Sequence, residues 1–150
     1  MTSVIRPATV ADAAAISAVV IGALRVSNAR DYSADIIEQV QRSFSPAAVE
    51  QLIALREVYV ATLQDQVVAT ASLDGGVVRS VFVSPDYQRR GLGQHLMRKL
   101  EAVAQARGLG VLSVPSSITA QAFYRRLGFS EVRDEFHGAE RTIIMQKTLR

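Results

Sequence analysis

The chain has 150 residues, 17 basic against 14 acidic for a net charge of +3, and no cysteine. That length matches one domain able to bury its own core, and the missing cysteine excludes disulfides, zinc–thiolate sites and a cysteine nucleophile. His95 and His137 lack ligand spacing, so no metal is expected; the basic pairs are dispersed among acids, which argues against a nucleic-acid partner; and no signal peptide or membrane-length apolar run is read, so a cytoplasmic protein with no membrane contact is expected.

Val4 to Arg6 reads as a first strand stopped by Pro7. Thr9-Val10-Ala11-Asp12 resembles a capping box, followed by Ile16, Val19, Val20 and Ala23 at helical spacing. Ser33 caps a second helix carrying Ile36, Ile37 and Val40, and Ser45-Pro46 opens a third with Val49, Leu52 and Ile53 on its apolar face. The pattern then turns to β: 58–63 and 67–73 around a Gln64-Asp65-Gln66 hairpin, then 77–83 after Asp74-Gly75-Gly76, an antiparallel meander. Helical period returns from Gly91 to Arg107, with Leu92, Leu96, Leu100 and Val103 on one face and Gly108 and Gly110 ending the run. A short strand at 111–114, a helix at 118–127 and an antiparallel pair at 129–136 and 141–149 complete the chain. There is no repeat, low-complexity tract or linker, so 1–150 reads as a single domain. The order β-α-α-α-β-β-β-α-β-α-β-β predicts an α+β fold in three layers, a mixed, mostly antiparallel sheet with helices on both faces.

The informative segment runs from Val81 to Met97: a strand ending at Ser84-Pro85, a polar loop with two glycines, and an amphipathic helix directly after it. The first turn of a helix presents unpaired N–H groups and the positive end of its dipole. Glycines there let a phosphate approach, and Arg89 and Arg90 add charge for anionic oxygens. A diphosphate site is therefore one physical reading; on the glycines alone, a plain helix start is an equal one. The segment is neither a P-loop nor a Gly-x-Gly-x-x-Gly dinucleotide turn.

Gln88-Arg89-Arg90-Gly91-Leu92-Gly93 is similar to the Gln/Arg-x-x-Gly-x-Gly/Ala signature of the GCN5-related N-acetyltransferases, and Val81-Phe82-Val83-Ser84-Pro85 to the strand before it. Ser117-Ile118-Thr119-Ala120, running on to Phe123-Tyr124 and Leu127-Gly128-Phe129, resembles the second signature of that family, and the likeness extends from Ile5-Arg6-Pro7-Ala8 to Ile144-Met145 and Leu149. The resemblance implies a splay between the strand before the loop and its parallel neighbour, forming a slot for the pantetheine arm of acetyl-CoA. The backbone of Val81, Phe82 and Val83 would pair with that arm; the amides of Arg89, Arg90, Gly91, Leu92, Gly93 and Gln94, with Gln88 ahead of them, would hold the diphosphate; Ser117 would contact the cofactor. It further implies direct transfer of acetyl from acetyl-CoA, as co-substrate, to a small-molecule or peptide amine, with Tyr124 protonating the departing thiolate. A tyrosine beside Phe123, Leu127 and Phe129 would otherwise be read as core.

Several positions depart from the family pattern. The Asn that often contacts the cofactor is Ser117, and the positions where relatives carry a general-base glutamate are Val77 and Leu112; the second sets the chain apart from enzymes that acetylate ribosomal-protein N-termini. Asp31, Tyr32 and His137 are the candidate acceptor-site residues, with Asp74, Asp134 and Glu135 as further acids; for each of the six, solvated surface is the leading reading. His95 reads as structural or solvent-facing. An acyl-CoA-binding regulatory module with little or no turnover is the alternative function, and a homodimer stays open.

Overall fold

The computed structural model describes residues 2–149; Met1 and Arg150, the ends of the expected domain, lie outside the described residues. The strands are β1 (Val4–Pro7), β2 (Glu57–Leu63), β3 (Gln66–Asp74), β4 (Val77–Val83), β5 (Val111–Ser117), β6 (Ser130–His137) and β7 (Glu140–Thr148); the helices are α1 (Ala13–Val26), α2 (Ala34–Arg42), α3 (Pro46–Leu55), α4 (Leu92–Ala106) and α5 (Gln121–Arg126). They form one seven-stranded sheet in the order β1-β2-β3-β4-β5-β7-β6, with antiparallel neighbours throughout except for β4 and β5. The expected element order and layering are borne out.

Local chemistry explains most of the boundaries. Asp12 accepts the Thr9 N–H at 2.8 Å and takes the Arg6 guanidinium in a two-pronged contact at 2.8 and 2.9 Å, which ties β1 to the start of α1. The hydroxyls of Ser33 and Ser45 accept the N–H groups of Ile36 and Ala48, as N-caps do. Gln64 and Asp65 both sit at positive φ, giving the two-residue turn whose twist matches a hairpin. At the end of α4 the left-handed Gly108 lets the Leu109 N–H bond to the Ala104 carbonyl at 3.1 Å, a Schellman closure.

The sheet is covered on both faces. On one, Leu96, Met97 and Leu100 of α4 pack with Leu73, Val78, Leu112, Phe129 and Met145. On the other, Ile16, Val20 and Leu24 of α1 pack with Val49 of α3 and Val58 and Val60 of β2. Contrary to the sequence expectation, one helical stretch, Val10–Arg30, is long and apolar enough to cross a membrane by length and composition. Its apolar face packs on the sheet and α3, and its first turn carries the ion-paired Asp12, the arrangement of a core helix.

One strand end and one helix start differ informatively from the expectation. The Ser113 N–H bonds across to the Gly76 carbonyl at 3.0 Å, so by strand alternation the imide nitrogen of Pro115 faces the same, β4 side. Beyond Val77↔Ser113, however, β4 and β5 no longer pair. Proline removes no ladder bond there, and β5 runs on to Ser117 along β7. The helix expected at 118–127 correspondingly begins at Gln121, because 117–120 is a turn in which the Ala120 N–H reaches the Ser117 hydroxyl at 3.1 Å.

Candidate active site

The parting of β4 from β5 opens a cleft of about 810 Å³. Its geometry starts with a bulge in β4: Thr70 faces Phe82 while Ser72 faces Arg79, so β4 holds one residue more than β3 across that step. Ser80 sits in the bulge at φ +56° without being glycine. The extra residue changes the strand's parity. Val78 lies in the α4-side core, and so do Val81 and Val83 after the bulge, while Phe82 turns to the α1–α3 face against Phe44, ring centroids 5.8 Å apart. The Ser84 N–H bonds back to Val68 at 2.8 Å, so alternation aims the backbone groups of Val81 and Val83 away from β3, toward the open slot.

The loop after β4 delivers the start of α4 to the mouth of that slot. Gly91 is the N-cap at φ +78°, and no side chain caps the helix; its first intrahelical bond is from the His95 N–H to the Gly91 carbonyl at 2.9 Å. The N–H groups of Leu92, Gly93 and Gln94 are therefore the free donors of a fifteen-residue helix. Gly93 has ordinary helical backbone, and its importance is room: a Cβ there would lie 3.1 Å from the Phe123 ring. The conformational need for glycine falls on Gly91.

Of the cofactor residues expected from sequence, Val81, Phe82, Val83, Gln88, Arg89, Gly91, Gly93, Gln94 and Ser117 line the cleft. Arg90 and Leu92 do not. Arg90 is exposed and stands over the Tyr87 ring, 5.2 Å from its centroid, and Leu92, the first residue of α4, is buried in the core. The Ser117 hydroxyl is engaged in capping Ala120.

Tyr124 is a core side chain that also lines the cleft. Its ring is 3% exposed and makes edge contacts with Phe123 and Phe129, centroids 5.1 and 5.6 Å away. Its hydroxyl has no hydrogen-bond partner among the described residues, yet no sealed side-chain oxygen lacks one, so the hydroxyl opens on the cleft that Tyr124 lines. Burial raises its pKa and keeps it a donor at neutral pH.

The acceptor-side residues are arranged differently from the expectation. Tyr32 lines the cleft, but its hydroxyl donates to the Arg141 carbonyl at 2.7 Å and accepts the Ile118 N–H at 2.8 Å, which makes it a cross-tie. Asp31 does not line the cleft; it accepts the Thr119 hydroxyl at 2.8 Å. With Gln88 donating to the Ser27 hydroxyl at 2.9 Å, segment 27–32 becomes a strap across the slot from the β4–α4 loop to the β5–α5 turn. His137 lines the cleft at its β6–β7 end. Asp74, Asp134 and Glu135 are ion-paired with Arg79, Arg141 and Arg133. Val77 is half-buried and Leu112 fully buried, so neither aligned position supplies a base. His95 is exposed, with the Ser3 hydroxyl 2.8 Å from Nδ1.

Sequence reasoning missed Arg56 and Glu140, which both line the cleft. Arg56 lies between α3 and β2, and Glu140 pairs with His137 at the start of β7. Neither belongs to a motif; only the sheet order brings them to the slot.

Residues 28–149 match the family description "Acetyltransferase (GNAT) domain". The ribosomal protein bS18-alanine N-acetyltransferase of Escherichia coli (strain K12) is 37% identical over 82 residues, covering 49% of this chain and 55% of that one. The likeness thus extends to such an enzyme although Leu112 carries no carboxylate. The chain spans about half the length of the curated relatives it matches. Among solved structures, the GCN5-related N-acetyltransferase "Aminotransferase, Class-II" from Rhodopseudomonas palustris superposes with TM-score 0.94 at 28% identity, covering 99% of this chain and 97% of that one. The yncA protein of Salmonella typhimurium, solved with its cofactor acetyl-CoA, has TM-score 0.65 at 25% identity, covering 100% of this chain and 95% of that one.

Proposed function

The chain belongs to the GNAT acetyltransferase family, and from that premise we propose that it transfers an acetyl group from acetyl-CoA directly to a primary amine, with Tyr124 as the general acid. The observation that carries the proposal is the meeting, in one cleft, of the uncapped N-terminus of α4, the unpaired edge of β4 and the Tyr124 hydroxyl.

The residues present fit the co-substrate. The free N–H groups of Leu92, Gly93 and Gln94 and the positive end of α4 suit a diphosphate, and Arg89, which makes no ion pair with any described residue, adds charge at the same mouth. The slot-facing backbone of Val81 and Val83 suits an extended amide-bearing arm, which would add to β4 as a strand. Acetyl-CoA supplies the activated acyl group. β4 and α4 orient it, the apolar wall of Phe44 and Phe82 excludes water from one side, and Tyr124 hydrogen-bonds the sulfur as the C–S bond breaks and the N–C bond forms, giving up its proton to the thiolate and regaining one from solvent through the cleft. The proton lost by the attacking nitrogen passes to solvent through the open β6–β7 end, since the aligned positions Val77 and Leu112 carry no base.

Thiol release from acetyl-CoA, followed with a panel of small-molecule and peptide amines, tests the reading. Amine-dependent release is expected. Tight CoA binding with no release for any amine would instead favour a binding module. We place the protein in the cytoplasm, where acetyl-CoA and amine acceptors meet.

A further inference from the structure

Arg56 has an environment that the acetyl-transfer reading does not explain. It is half-buried, lines the cleft, and uses one of its guanidinium N–H groups on the Ser80 hydroxyl at 3.3 Å. Among the described residues it has no ion-pair partner and no other side-chain hydrogen bond. The neighbouring Arg79, which also lines the cleft, differs in having an ion-pair partner, Asp74 at 3.3 Å. Burial, and then repulsion from Arg79, pull the Arg56 pKa below the ordinary arginine value, with the charge of Asp74 opposing them. An arginine stays charged under such pressure. A half-buried cation is ordinarily compensated by an anion, and a guanidinium with most of its five donors free presents the planar fork that a carboxylate fits.

The position of Arg56 limits where that anion belongs. Ser80 is the bulge residue immediately before Val81, where the slot-facing edge of β4 begins. An anion on Arg56 would therefore lie inside the cleft, beside the bulge of β4. Beyond it, Ile36, Val40 and Phe44 make an apolar wall of the same cleft.

We infer that the acceptor is an amino acid-like amine whose carboxylate binds Arg56, with an apolar side chain against Ile36, Val40 and Phe44. The inference rests on the acetyl-transfer reading and names the substrate class of that site. Arg56 is a specificity residue here: it holds the acceptor and takes no part in bond making.

The test measures kcat/KM for thiol release at saturating acetyl-CoA with matched pairs: phenylalanine against 2-phenylethylamine, and leucine against 3-methylbutylamine. The phosphonate analogue of phenylalanine forms a third arm. Each is run with wild type, Arg56→Met and Arg56→Lys, and calorimetric CoA affinity reports that each variant keeps its fold. The expected result is a preference for the carboxylated partner that shrinks roughly 10- to 100-fold in Arg56→Met, the range for losing a hydrogen-bonded charge contact. Arg56→Lys should retain part of the preference, because it keeps the charge and loses the fork. Turnover without carboxylate preference, or a preference that survives Arg56→Met, overturns the inference and leaves acetyl transfer standing. A phosphonate strongly preferred over the carboxylate overturns the assignment of the anion. CoA binding with no thiol release for any amine overturns the transfer reading and this inference with it.

Discussion

At the α4 end of the cleft the groups that face a ligand are backbone donors from one short segment: the first-turn amides after Gly91 and the unpaired edge of β4. At the opposite end they are side chains from separate elements: Arg56 ahead of β2, Phe44 after α2, His137 at the end of β6 and Glu140 at the start of β7. A site built from backbone needs only a strand, a glycine-bearing turn and a helix in succession, and any ligand with a diphosphate can use it. A site assembled from scattered side chains has its chemistry rewritten whenever one of them changes, and under the proposed function it is this end that would select the amine.

The sharpest test of that division is Tyr124→Phe. The hydroxyl has no interior partner, so fold and CoA affinity should persist while kcat falls by about 10²- to 10⁴-fold, the usual cost of losing a general acid. Stopped-flow thiol release checks it, and wild-type turnover in the variant would return Tyr124 to the core. Gly93→Val strikes the backbone-built end. Its Cβ would meet the Phe123 ring at 3.1 Å, so thermal denaturation should register a loss of about 1–3 kcal/mol from overpacking, with weakened CoA binding by calorimetry. Unchanged CoA affinity would mean that the loop is only a turn.

These two residues also mark what the sequence made legible. The strand–loop–helix order, the caps at Ser33 and Ser45 and the turn at Gly108 are local, and local chemistry specifies them. The Ser80 bulge is not: a serine at positive φ carries no signature, because its conformation is set by pairing with β3. The end of β5 is non-local too: the strand runs on through Pro115 because β4 and β5 no longer pair there. Gly93 is expected from sequence to make room for a phosphate; its helical φ and the Phe123 ring above it show that the room it supplies is also for the protein's own side chain. Asp31 and Tyr32 have the right chemistry, and only the tertiary structure reveals that Thr119 and the backbone of Arg141 and Ile118 already engage them.

Smaller effects probe the side-chain-built end and its support. Tyr32→Phe deletes the cross-tie and strands the Ile118 N–H, so a loss of about 1–2 kcal/mol in denaturant unfolding is expected, together with a looser strap over the slot. Asp12 anchors the helix that leads to this strap. The Arg6 guanidinium and the Thr9 N–H outweigh burial and hold its carboxyl at about 2. That lies below the unfolded reference of about 3.9, so its stabilisation is full above about pH 5 and is lost as pH falls through 2. With allowance for screening at the half-exposed Arg6, the gap in melting free energy between wild type and Asp12→Asn should be about 1 kcal/mol at pH 7 and vanish near pH 2. The least effect is expected from His137→Ala. If solvent takes the amine proton, the rising limb of the rate at limiting amine should follow each acceptor's own ionisation and survive this change; a limb fixed for every acceptor and abolished by His137→Ala would make His137 the base.

A crystal structure with CoA bound tests the central claim most directly. The diphosphate should accept hydrogen bonds from the N–H groups between Gly91 and Gln94, the arm should lie along Val81 to Val83, and the sulfur should come within hydrogen-bonding reach of the Tyr124 hydroxyl. A diphosphate bound away from the start of α4, or a sulfur remote from Tyr124, would contradict the account.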